Sequence, residues 1–238
     1  MTEKQIESLY QDKSFHQLEK SLGVSFRSKS SLIQAFVHRS FLNEHPDFPL
    51  DNNERLEFLG DAILELLVTE HLFRQYHNAE GELTRWRAAL VNTKTLSSVA
   101  EKFNFSKYLF LSRGEGSRSV SRSLMADTLE AFIGAAYLDQ GMAAVQKFIE
   151  QHILILLPGI IESVSYLDAK SELQELIQAG GETSPTYRVL ETQGPDHDKQ
   201  FKVGVFLGQK MISSGTGHSK QAAEQMAAEQ ALKLLKKS

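Results

Sequence analysis

The hydrophobic pattern changes period once, near residue 158, and that change divides the chain into two differently built parts. From residue 1 to about 157, apolar residues recur at helical spacing, glycines are few and β-branched runs are scarce. Helices are expected from Glu3 to Leu22, Ser30 to His38, Asn53 to Tyr76, Glu82 to Phe103, Ser121 to Asp139 and Met142 to Leu156. Pro158 and Gly159 interrupt the pattern, so residues 158–167 read as a linker. Beyond it a helical stretch, Ala169 to Gln178, gives way to alternation over Thr186 to Thr192, Gln200 to Phe206 and Lys210 to Ser214, the period of strands. An Ala-rich segment with a basic end, Ser219 to Lys236, suits a closing helix. The expected architecture is multidomain: an all-α domain over 1–157, the linker, and an α-β-β-β-α (α+β) domain over 168–238.

Composition narrows the chemistry. With no cysteine among 238 residues, the chain has no disulfide, no thiolate zinc site and no thiol nucleophile, so a metal must be held by oxygen or imidazole. The net charge is −4. Residues 168–238 are neutral, and the whole negative excess lies before them. A neutral part can still bind a polyanion if its lysines share one face. The start, MTEKQIESLY, lacks the form of a secretory signal, and the longest aliphatic run, Ile153 to Leu157, is far shorter than the ~18 residues of a membrane span. A cytoplasmic protein with no membrane partner is expected.

The segment NERLEFLGDAILELL, residues 53 to 67, carries the chemistry. At about 100° per residue and with Glu57 at zero, Asp61 falls near ~40°, Glu54 near ~60° and Glu65 near ~80°. Val68, Leu64 and Phe58 lie within and on both sides of that arc. A solvated face would be wide and would mix Lys with Glu; this one is narrow and of one sign. Gly60, in mid-helix, costs about 1 kcal/mol against Ala and points to a close helix approach.

A second segment, SLMADTLEAFIGAAYLD, places Asp127 and Glu130 three residues apart on one face, among Ala131, Gly134, Tyr137 and Leu138. Paired acids are commonly surface decoration. Two pairs, both hemmed by apolar residues and without Lys or Arg on their arcs, are not, because confined carboxylates of like sign must be protonated or neutralised by a cation. Oxygen ligands of this kind suit a hard divalent ion such as Mg²⁺. Glu65 reads as structural or solvated.

NERLEFLGDAILELL resembles the signature of the ribonuclease III family, endonucleases that cut double-stranded RNA. HRSFLNE (38 to 44) and ADTLEAFIGAAYLD (126 to 139) resemble its flanking helices, in the family's order. The resemblance implies that Glu57, Asp61, Asp127 and Glu130 ligate catalytic Mg²⁺, with Mn²⁺ able to substitute, and that Asp61 and Glu130 are central to catalysis. It makes Glu54 and Glu80, the latter in AEGELTRWRAAL, accessory acids. It further implies products with a 5′ phosphate and a 3′ hydroxyl, staggered cuts by a homodimer, and work on ribosomal RNA precursors and other structured transcripts. No small-molecule cofactor is implied. Metal-ion hydrolysis asks the protein only for carboxylates in fixed places, which agrees with the residues.

KSELQELIQ (170 to 178), TYRVLETQGPDHDKQFKVGV (186 to 205) and GTGHSKQAAEQMAAEQAL (215 to 232) resemble the double-stranded-RNA-binding domain. By that resemblance Gln174 and Glu175 enter one minor groove, the loop with His197 reaches the next, and Ser219 and Lys220 meet phosphates at the N-terminus of the last helix. Many relatives carry two or more lysines there. Here Gln221 and Ala222 follow Lys220, which lowers the electrostatic affinity expected.

His38 reads as a packing residue, and His197-Asp198 has no partner His for a metal-hydrolase motif. A catalytically silent double-stranded-RNA-binding protein on the same two domains is the alternative from a different class. Loss of any ligand would favour it, and none is lost. An unrelated helical metal enzyme fused to an RNA tether would leave the HRSFLNE and AEGELTRWRAAL matches to chance.

Overall fold

The computed structural model describes residues 3–116, 119–179, 183–195 and 199–235; of residues 3, 116, 165–168 and 179 it describes the backbone alone. Contacts divide the chain into two units, Met1–Pro158 and Gly159–Ser238.

The first unit is helical: α1 (Glu3–Asp12), α2 (Phe15–Leu22), α3 (Lys29–Gln34), α4 (Arg39–Glu44), α5 (Glu54–Gln75), α6 (Glu80–Leu90), α7 (Thr93–Lys102), α8 (Arg113–Gly116), α9 (Arg122–Gln140) and α10 (Met142–His152). At its centre is α9. Ser121 caps it, accepting from Leu124 N at 3.2 Å, and ten of its residues, from Met125 to Ala136, are buried. A helix apolar on nearly every side belongs inside a bundle. Around it packs an aromatic core in which Phe15, Phe36, Phe105 and Phe132 are fully buried.

Two expected helices are broken. Glu3 to Leu22 divides at Ser14, whose φ of 56° is left-handed, a conformation that a continuing α-helix does not accommodate. Glu82 to Phe103 divides where Asn92 caps a new helix, its side chain accepting from Thr95 N at 2.9 Å. Ser30 to His38 ends early, at Gln34, and His38 instead caps α4 through its ring. Asn53 is buried and precedes α5. Its Nδ2 donates to Ala35 O (3.2 Å) and its N to Val37 O (2.9 Å), tying the start of α5 to the α3–α4 turn.

The expected linker, 158–167, is helical: α11 runs Leu157–Ala179 and absorbs both it and the expected Ala169 to Gln178 helix. Pro158 and Gly159 fall in its first turn, where a missing N–H breaks no helical bond. The stretch 142–178 is also long and apolar enough, by length and composition, to pass for a membrane span, which the aliphatic-run argument did not detect. It is not one helix, since α10 ends at His152 and a 3-10 turn, Leu154–Leu156, precedes α11. Val145, Phe148, Ile149, Ile153, Leu154 and Leu157 are buried in the protein.

In the second unit, β1 (Thr186–Gln193), β2 (Gln200–Leu207) and β3 (Lys210–Gly217) form an antiparallel sheet in the order β1-β2-β3, with α12 (Lys220–Leu235) closing the chain. Ala169, Leu173 and Ile177 of α11 share a core with Val205 and with Ala227, Ala228, Ala231 and Leu232 of α12. The fold is therefore an all-α domain followed by an α-β-β-β-α domain.

Candidate active site

The closest packing in the first unit brings the acids together. A Cβ on Gly60 of α5 would lie 1.8 Å from the Glu130 carbonyl oxygen, and one on Gly134 of α9 would lie 2.2 Å from that of Leu56. Both distances are impossible, so the two backbones meet only because neither residue has a side chain. The mid-helix cost of glycine marked Gly60; Gly134, in the middle of the expected Ser121 to Asp139 helix, carries the same signal, which sequence reasoning missed, noting only its place on the Asp127–Glu130 face.

Beside this contact, one carboxylate oxygen from each of Glu57, Asp127 and Glu130 lies within 4.8 Å of the others. All three residues are half-buried. Burial and the charges of Asp61, Asp127, Glu57 and Glu65 push the Glu130 carboxyl up to about 8. Burial, then Asp127, Glu54 and Asp61, raise Glu57. Burial likewise raises Asp127, against the opposing influence of a Ser123 hydrogen bond and of His38. Burial holds all three carboxyls back from ionising, neighbouring carboxylates do so further for Glu57 and Glu130, and the hard oxygens they bring together fit a divalent metal.

Asp61 does not belong to the converging trio. It is exposed on the adjoining turn, yet it is the foremost of the charges acting on Glu130. Glu54 is exposed, bonded to Asn52 Nδ2 (3.2 Å) and Arg39 (3.4 Å). Glu80, also exposed, accepts from Thr84 Oγ1 at 2.8 Å at the start of α6. Glu65 is exposed as well.

In the second unit Gln174 and Glu175 are exposed on α11, as are Ser219 and Lys220 at the start of α12. The Ser219 hydroxyl accepts from Ala222 N (3.0 Å) and so serves as the helix cap. His197 lies outside the described residues. Lys170, which sequence reasoning passed over, pairs with Glu224 of α12 at 2.9 Å and stands 4.1 Å over the Tyr187 ring.

A helical domain with convergent carboxylates that could hold a metal ion, followed by an α-β-β-β-α module, defines a two-domain protein with a candidate metal site. Residues 28–157 match the Ribonuclease-III-like family model, and residues 169–235 match the double-stranded RNA binding motif. Ribonuclease 3 of a Geobacillus species is 46% identical over 228 residues, 93% of this chain and 91% of the relative. Ribonuclease 3 of Bacillus cereus is 43% identical over 240 residues, covering 98% of this chain and 96% of the relative. Among solved structures, the nuclease domain of ribonuclease III from Campylobacter jejuni, in which flexibility is described in a region involved in dimer formation, is 40% identical with a TM-score of 0.53. The match covers 57% of this chain and 93% of that one. The chain belongs to the ribonuclease III family. It is an endoribonuclease that acts on double-stranded RNA, which decides against the silent binding protein.

Proposed function

We propose that the chain is a Mg²⁺-dependent enzyme, with Mn²⁺ able to replace Mg²⁺, that hydrolyses both strands of an RNA duplex to 5′-phosphate and 3′-hydroxyl ends. The observation that carries this reading is the convergence of Glu57, Asp127 and Glu130 oxygens at the Gly60–Gly134 contact. Glu57, Asp61, Asp127 and Glu130 hold the ion, Asp61 from the adjoining turn, where its charge is the foremost of those acting on Glu130. When bound, the ion makes a water more acidic and stabilises charge on the leaving 3′ oxygen. The rest falls to the chain. Two packed helices fix the carboxylates, so no reorganisation is needed as charge develops. Glu130, protonated near neutral pH without a cation, gives up its proton as the site fills. Glu54 and Glu80 act as accessory acids at the edge.

In this reading Gln174 and Glu175, the loop with His197, and the α12 start at Ser219 and Lys220 contact the duplex. Its substrates are ribosomal RNA precursors and other structured transcripts, and it works in the cytoplasm without a membrane or small-molecule cofactor. The working form is a homodimer, since a two-fold axis relates identical sites as a duplex relates its strands. Phe58 and Phe73 of α5 are 82% and 75% exposed, and Leu66 and Leu138 are exposed as well, leaving apolar surface for a second copy. Ile63 and Leu67 of the same helix are buried in the core.

Incubation of a long RNA duplex with and without Mg²⁺, followed by analysis of the product ends, tests the reading. Metal-independent cleavage or 3′-phosphate ends would overturn it. For the assembly, sedimentation at low micromolar concentration is expected to give a dimer, and mixing with Glu130→Gln subunits is expected to give nicked duplex.

A further inference from the structure

A site built of carboxylates must admit a polyanion, and at its rim stands an exposed guanidinium, that of Arg39, which the chemistry above does not use. Arg39 opens α4, directly after His38, whose charge acts on Asp127. Its Nη1 lies 3.4 Å from Glu54 Oε1, and Glu54 in turn is among the charges that raise Glu57. Arg39 itself is not among the main charges acting on Glu57, Asp127 or Glu130, so it stands beside these acids without being paired to them.

The base of this arm is fixed and its end is free. His38 N donates to Phe110 O (3.1 Å) and Ser40 N to His38 Nδ1 (3.3 Å), which holds the start of α4, while Asn53 N donates to Val37 O (2.9 Å) and keeps the start of α5 next to it. The Arg39 side chain is nevertheless 70% exposed and that of Glu54 51%. A single long contact between two exposed groups contributes about 0–1 kcal/mol. A guanidinium on a phosphate can instead form two parallel charge-assisted bonds, which are stronger. Nor does Glu54 depend on Arg39 for its place. Asn52 Nδ2 donates to Glu54 Oε2 (3.2 Å) and Glu54 N donates to Asn52 Oδ1 (3.2 Å), so the carboxylate stays where it is when the guanidinium leaves.

We propose that Arg39 is a substrate-binding residue: it exchanges Glu54 for a backbone phosphate of the RNA duplex, and Glu54 competes with that phosphate in the RNA-free protein. The inference rests on the metal-site reading, which puts the cut strand beside Glu57, Asp127 and Glu130. Its test uses the full chain and the variants Arg39→Ala, Arg39→Lys, Glu54→Gln and the double variant Arg39→Ala with Glu54→Gln. Affinity for a long RNA duplex is measured without divalent ions across a salt series. Thermal stability is recorded alongside, as is the enzyme concentration that half-saturates single-turnover cleavage in Mg²⁺.

Arg39→Ala is expected to weaken duplex binding about tenfold and to lower the slope of log affinity against log salt by about one, with the half-saturating concentration rising in parallel. Arg39→Lys, which keeps the charge but not the fork, is expected to retain the slope and recover part of the affinity. Glu54→Gln is expected to tighten binding severalfold while Arg39 is present and much less in the double variant, because a competitor for Arg39 matters only if Arg39 is there. Wild-type affinity and slope in Arg39→Ala would overturn the proposal. So would an equal gain from Glu54→Gln with and without Arg39, which would mean simple repulsion of the duplex by Glu54. Cleavage by the wild type without a divalent ion would instead overturn the metal-site reading, and the metal-free affinities would still decide the role of Arg39.

Discussion

Both units close by omitting a side chain, and they enclose different things. In the first, Gly60 and Gly134 let α5 and α9 touch, and three acids stand beside the contact. In the second, a Cβ on Gly215 of β3 would lie 2.3 Å from Ala227 N of α12, so sheet and helix meet in the same way, over alanine and valine. The groups assigned to RNA there, Gln174, Glu175 and Lys220, are exposed at its periphery. Hydrolysis needs charges at fixed separations, which only a rigid interior supplies. Affinity for a polyanion needs charges that can reach phosphates, and the surface supplies those.

The largest expected effect would sharpen this contrast directly. Glu130→Gln removes one metal-binding carboxylate at nearly constant volume and should slow cleavage on the order of a thousandfold, ~4 kcal/mol of barrier, with duplex binding nearly intact. Retention of more than about a tenth of wild-type turnover would show that the interior acids are not the catalytic machinery. Ending the chain after Pro158 is the reciprocal cut. That fragment should still cleave at low ionic strength but lose roughly a hundredfold or more in apparent affinity near physiological salt, because the lost phosphate contacts are the salt-sensitive ones. Equal salt dependence of fragment and full chain would erase the division between the units.

Gly60→Ala probes the shared device. A methyl group cannot sit 1.8 Å from the Glu130 carbonyl oxygen, so the helices must separate, at about 2–3 kcal/mol of stability and most of the activity. Denaturant unfolding and cleavage of one preparation measure both. The smallest effect concerns protons. Folded, metal-free protein holds a proton on Glu130 up to about pH 8, whereas the unfolded chain releases it near 4.5. The native state therefore binds more protons between those values, and this group's contribution to stability falls as pH rises through the window. Metal must displace the proton, so affinity should rise with pH and level off above about 8. Calorimetry of Mg²⁺ binding in two buffers of different ionisation enthalpy should detect proton release near pH 7 that disappears in Glu130→Gln.

Much of this was legible in local spacing. The helix carrying Glu54 and Glu57 was expected from Asn53 to Tyr76 and runs Glu54–Gln75; that carrying Asp127 and Glu130 was expected from Ser121 to Asp139 and runs Arg122–Gln140. Both are long amphipathic or apolar stretches, in which many residues vote for one period. The α4 and α8 helices were not legible, because each is only a turn or so long and is held by long-range bonds: His38 and Ser40 to Glu115, Arg113 to Glu44. The Pro158-Gly159 pair stands where the two units divide, but its helical state was not legible, since the same two residues fit the first turn of α11.

Residue order alone determined the two periods, the types of the long elements, and the placing of four acids on two helix faces, because each depends on neighbours a few positions away. Only the tertiary structure decided that Glu57, Asp127 and Glu130 converge while Asp61 stays exposed beside them. It also assigned Phe58 and Leu66 to the surface but Ile63 and Leu67 to the core. Those outcomes depend on how close α5 comes to α9 and at what angle. That geometry is set by backbone contact between Gly60 and Glu130 and between Gly134 and Leu56, pairs about seventy residues apart that no local period encodes.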